Sequence, residues 1–269
     1  MPFYAFRLDS VHVLNPRGKI PDNDVVTFSV FVNQIDRGHG AGFFPALAAG
    51  AVIPATAVTP NTRSGMSNDW IVGPLEIAPG DLIHVIYTGF NTSDSELDLS
   101  GQAEIEIKIL DAITSAAVGA VGGLVGSAVS TALGWIGDPV GKFLGYHPQG
   151  PCNGLVFSDT VDFSRADLDS LAFHSRSFWS LPDATEFSFT RPYTDEATHN
   201  ADICGEIAHT EITFSVLQVP SISVRYYARR LFPGTWKNGT LVPDFSQGLR
   251  QLAAPGAAVS IRSLLRVRP

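Results

Sequence analysis

The 269 residues are enough to bury a substantial core, as one large β domain or two smaller ones. Charged residues make up 16% of the chain, against ~25% in an ordinary soluble domain, which argues against a lone, well-hydrated monomer and for a homo-oligomer. The net charge of −8 makes nucleic acid a poor partner.

Met1 to Arg7 has neither the basic start nor the apolar run of a secretory signal peptide. The expectation is a cytoplasmic protein, or one released by a signal-independent route. Phe6, Leu8, Val11 and Val13 mark a first strand, with a bulge at Asp9–Ser10. Val26, Phe28, Val30 and Val32 then alternate with Thr27, Ser29 and Phe31, predicting a strand buried on at least one face. Gly38-His39-Gly40-Ala41-Gly42 has the glycine content of an esterase oxyanion loop, but no serine here has the flanking glycines of Gly-x-Ser-x-Gly. It reads as a flexible loop, as does the Pro/Asn/Thr/Ser/Gly-rich stretch 58–68. Ala78-Pro79-Gly80-Asp81 is a turn into a strand over Leu82–Tyr87. Ile105, Ile107 and Ile109 alternate with Glu104, Glu106 and Lys108, which predicts a strand with one core face and one wet face.

From Ala112 to Gly137 the chain carries no charge, and Gly and Ala are its commonest residues. Val118, Val121, Val125, Val129, Leu133 and Ile136 recur every three or four positions, one stripe of a helix. Ala112, Ala116, Gly119, Gly123, Ser127, Ser130 and Gly134 form a second stripe of small side chains that admits close approach of another backbone. Each interior glycine costs about 1 kcal/mol relative to alanine, so this helix needs a packing partner in its own domain, in another subunit or in a membrane. Gly137-Asp138-Pro139 ends it, and residues 140–146 read as a short second helix. A helical insertion over about 111–146 follows.

The β pattern resumes at Leu155–Phe157, Val161–Phe163, Phe187 and Phe189, Ile212–Val216 and Ile222–Tyr226. Eight or so strands with long Pro/Gly-rich connections predict an antiparallel β-sandwich over residues 1–227, with Ile105, Ile107, Ile109, Phe28, Val30, Ile212 and Phe214 in its core. Residues 228–269 read as an extended basic arm. From residue 222 onward eight basic residues face Asp244 alone, a charge of +7 that leaves −15 on the rest of the chain. Arg229, Arg230, Arg262, Arg266 and Arg268, together with Leu264 and Leu265, are the residues expected to dock this arm on acidic protein surface.

Sites of chemistry are sparse. Cys152 and Cys204 allow one disulfide and no zinc site by themselves. Asp195, Glu196, His199 and Asp202 form the densest polar cluster and are weak metal candidates, without the ordered spacing of a calcium loop. Asp159, Asp162, Asp167 and Asp169 form a second acidic region. His209 and Glu211 share a strand face with no nucleophile tied to them, which reads as a solvated strand. No catalytic set and no phosphate-cradling glycine loop emerges, and no cofactor is expected. The leading expectation is a non-enzymatic, self-assembling structural or interaction protein that packs through the Gly/Ala helix and the tail. The first alternative is a membrane-active, pore-forming or effector-like protein that inserts residues 112–137. The second is a ligand-binding module or hydrolase using the acidic loops, its ligand unspecified.

Overall fold

The computed structural model describes residues 3–16, 22–91, 99–120, 125, 128, 154–175, 184–194, 207–219, 234–237 and 240–243. Two antiparallel sheets pack face to face. The first runs β4(Ala51–Pro54)–β1(Phe3–Asn15)–β11(His209–Val219)–β10(Thr185–Thr194)–β9(His174–Ser175), and β6(Ile71–Glu76) also pairs with β1. The second runs β5(Thr62–Ser64)–β3(Ile35–Leu47)–β2(Asp22–Val32)–β7(Leu82–Asn91)–β8(Gly154–Ser164). Helix α1(Leu99–Gly119) lies on the outer face of the second sheet, and a short helix, α2(Arg165–Ser170), follows β8.

Strand alternation builds the core directly. Tyr4, Phe6 and Leu8 of β1, Val26, Phe28 and Val30 of β2, Val85 and Tyr87 of β7, and Ile212, Phe214 and Val216 of β11 meet between the sheets. A side-chain period of two puts every second residue on that face. Phe189 stacks on Phe214 at 5.0 Å, and Phe163 and Tyr87 close around the same ring. The β1–β11 register slips between Leu8 and Ser10, so the expected bulge falls at Asp9.

The Gly38–Gly42 stretch is not a loop. It is the middle of β3, paired with β2 across Gly40↔Phe28 and Gly42↔Val26. Its alternate glycines are needed because a second layer presses on them. A Cβ at Gly38 would stand 2.7 Å from the Gly65 carbonyl oxygen, one at Gly40 would strike the Met66 side chain, and one at Gly42 would stand 2.8 Å from the Trp70 ring. Trp70 fills this groove fully buried, with its indole N–H donating to the Val58 carbonyl at 2.7 Å. Its backbone sits at φ 58, a region that bulky residues rarely adopt. A glycine-rich strand lacks the β-branched signal that marks its neighbours, which is why composition alone suggests a loop.

The strand expected over residues 104–109 is also corrected. These residues belong to α1, which begins at Leu99 rather than near 111. Ile105, Ile107 and Ile109 are spaced by two, but Ile105, Ile109 and Ile113 are spaced by four, and the longer helical period continues into the Gly/Ala stretch. Ile109, Ile113, Ala117 and Ala120 form the buried stripe, packed on Val25, Phe31, Ile86 and Phe90. Ile109 is therefore buried outside the sandwich rather than in its core, and Ile107 is 47% exposed. The side chain of Ile105 lies outside the described residues.

Val125 and Ala128 are helical, while the rest of the stretch between residue 121 and residue 153 lies outside the described residues. Within the predicted arm, β12(Gly234–Lys237) and β13(Thr240–Pro243) pair as an antiparallel hairpin.

Candidate functional site: the helix-covered face of the second sheet

Helix α1 has two different sides. Its docked side is made of Ile109, Ile113 and Ala117, with Ala112 and Ala116 partly buried beside them and Ala120 buried just past its end. Small side chains let the helix sit close to the sheet. Near its C-terminal end, the Gln34 side-chain amide donates to the Ala120 carbonyl at 2.8 Å, satisfying one of the acceptors that a helix leaves open there. Its outward side carries Ile107 and Val118, the latter 55% exposed, and Gly119, where an added Cβ would have no atom within 4 Å.

One charged side chain is trapped beneath the helix. Glu106 is fully buried and accepts hydrogen bonds from Thr62 Oγ1 at 2.8 Å and Asn61 Nδ2 at 3.2 Å. Burial raises its pKa, and the two hydrogen bonds oppose that rise only in part.

The sheet face under and beside α1 is unexpectedly polar. Thr27 and Thr88 hydroxyls meet at 2.6 Å. His84 is buried, with Nδ1 2.7 Å from Asp162 Oδ1, while its Nε2 and the Ser29 hydroxyl have no hydrogen-bond partner. On β3, which flanks β2, His39 Nδ1 lies 2.6 Å from Asp36. These pairs escape sequence reading because they depend on register. His84 is directly opposite Asp162 in the β7–β8 ladder, although the two are far apart along the chain.

The second acidic region is dispersed. Asp159 and Asp162 stand three apart on β8 and so face opposite sides of the sheet. Asp159 accepts from Tyr193 at 2.8 Å and from Tyr87 at 3.3 Å, joining β8 and β7 of the second sheet to β10 of the first. Burial is the main cause pushing both phenols well above the usual tyrosine range. Asp167 completes a capping box with Ser164 at the start of α2, and these hydrogen bonds hold its carboxyl below the usual range. Asp169 is held low by the Tyr4 hydroxyl and by Arg165. Each of the four aspartates thus has its own protein partner.

A further cluster on the outer face of the first sheet has only a local hint in the sequence, since Arg7 and Asp9 are two apart on one strand. Arg7 pairs with Asp9 and reaches Glu186 at 3.4 Å, while the Ser215 hydroxyl donates to Asp9 and meets Ser188 at 2.8 Å. Burial raises the Asp9 pKa, opposed by Arg7 and Ser215. Glu211 pairs with His12 of β1 at 3.0 Å across the β1–β11 ladder.

Of the residues singled out by sequence, Gly119 ends α1, and Val125 is helical and buried in the helix–sheet cluster. Gly123, Ser127, Gly134, Val121, Val129 and Leu133 lie outside the described residues, as do Cys152 and Cys204. So do Asp195, Glu196, His199 and Asp202, and the tail residues Arg229, Arg230, Arg262, Leu264, Leu265, Arg266 and Arg268. Among the described residues no group of three His, Cys, Asp or Glu side chains could hold a metal ion, and no helix is long and apolar enough to cross a membrane.

Comparison with protein-family models, with curated proteins and with solved structures gives no match to this chain.

Proposed function

We propose that this chain is a non-enzymatic, self-assembling sandwich subunit, and that a second copy docks on the outward side of α1. The observation that carries the reading is the two-sided helix. Its inner side is already packed, yet Ile107 and Val118 stand exposed and Gly119 leaves open space for an approaching backbone. Close backbone approach over small residues is the usual use of such a surface. The opposite charges of tail and body add a second, salt-sensitive attraction between copies.

Light scattering after size exclusion, at several protein concentrations, tests the proposal. The full chain should be larger than one subunit, and Val118→Lys or Gly119→Leu should reduce that size without unfolding the sandwich. A wild-type chain that stays monomeric at tens of micromolar would overturn it. If size instead changes only on anionic vesicles, with dye leakage, the membrane-active reading replaces it. That second reading is favoured by the long uncharged stretch from Ala112 to Gly137.

A further inference from the structure

Two neighbouring residues of α1 sit against their chemistry. Glu106 is fully buried and its neighbour Ile107 is 47% exposed. Among the described residues the donors to this carboxylate are neutral, Thr62 and Asn61. A buried carboxylate next to an exposed isoleucine is a conflict between local pattern and fold, of the kind found at strained or working segments.

An extended backbone removes both faults at once. With side chains alternating, Ile105, Ile107 and Ile109 share one face, and Glu104, Glu106 and Lys108 share the other. The β-branched isoleucines also favour strand over helix. A place for such a strand already touches the segment. β5 ends the strand order of the second sheet, and Glu106 is hydrogen-bonded to Asn61 and Thr62 at its start. The helical form has compensations. Ile109 and Leu110 are buried in it, and the C-terminal half is anchored by Ile113, Ala117, Ala120 and the Gln34 contact.

We infer that residues 104–110 are a conformational switch, helical in the resting protein and able to re-form as an edge strand along β5 while the C-terminal half of α1 stays docked. In the extended state Glu106 reaches water and Ile107 joins an apolar face.

Saturation-transfer NMR on the full chain, with labelled isoleucines, reads the minor state directly. Ile105 and Ile107 should show a minor state with strand-like Cα and Cβ shifts, absent at Ile113. Hydrogen exchange should show peptides from residues 99–110 at least tenfold less protected than those from 111–120. Glu106→Leu should abolish the minor state and restore protection at least tenfold. Glu106→Gln, which keeps the side chain's size, should act in the same direction if the leucine variant folds poorly. Ile107→Lys should deplete the minor state while leaving the resting helix intact, because position 107 is 47% exposed in the helix. Minor-state shifts typical of random coil would overturn the inference. So would equal protection along α1 that neither Glu106 variant moves.

Discussion

Replacing Phe214 by alanine is expected to strike the centre of the molecule. The ring is fully buried and lies 5.0 Å from Phe189, 5.5 Å from Tyr87 and 6.5 Å from Phe163. Phe→Ala in a packed core costs about 3–5 kcal/mol. Aromatic pairs are worth about 0.5–1.5 kcal/mol beyond burial, and three of them place this site near the top of that range. Total stabilities of domains are about 5–15 kcal/mol, so the loss should be a large share of the whole. Ile107→Ala is the matched control. Its side chain is 47% exposed on a helix, so the change should stay within about 0.5 kcal/mol. Urea unfolding followed by tryptophan fluorescence reports both, since Trp70 is buried beside Phe44 and becomes solvated on unfolding. A loss below 1 kcal/mol for Phe214→Ala, or above 2 kcal/mol for Ile107→Ala, would refute this assignment of core and helix surface.

The glycines of β3 should be ranked by what they face. Gly38→Ala meets the backbone oxygen of Gly65 and should cost about 1–3 kcal/mol, whereas Gly40→Ala meets the flexible end of Met66 and should cost less; the reverse order in denaturant midpoints would contradict the groove. Burial raises the Glu106 pKa above its ordinary value of 4.5, so between those two pH values the folded state holds more protons than the unfolded state. Stability should therefore fall as pH rises through that window. Glu106→Gln should remove this slope, and an unchanged pH profile would show that Glu106 does not carry it. Tyr193→Phe removes a hydroxyl donated to Asp159 and should cost about 1 kcal/mol in thermal or urea unfolding, with no change expected in the Thr27→Val background beyond additivity.

The strands whose apolar residues alternate were readable in advance, and Phe28, Val30, Ile212 and Phe214 lie in the inter-sheet core as their patterns require. Two kinds of residue mislead. Glycines 38, 40 and 42 carry no hydrophobic signal of their own, because their role is to leave room for Trp70 and Met66. The isoleucines of residues 105–109 satisfy two periods, and only the continuation through Ile113, Ala117 and Ala120 selects the helix. The His84–Asp162 and Asp159–Tyr193 contacts were illegible for another reason. Their partners are set by strand register and sheet packing, which adjacency in sequence does not encode.

The pairing of β1 with β11 sets an order of assembly during synthesis. Every strand of the second sheet has emerged by Ser164, but Phe3 finds its place opposite Val219. A growing chain can complete one sheet while β1 still lacks the neighbour that closes the other. Closing so long a loop is slow compared with local pairing, and until then the inner apolar face of the second sheet is opposed only by β1 with β4 and β6, without β11 and β10. Ribosome-bound chains stopped before β11 but long enough for Ser164 to clear the exit tunnel should therefore engage holdase chaperones strongly, and chains extended past Val219 by the same margin should release them.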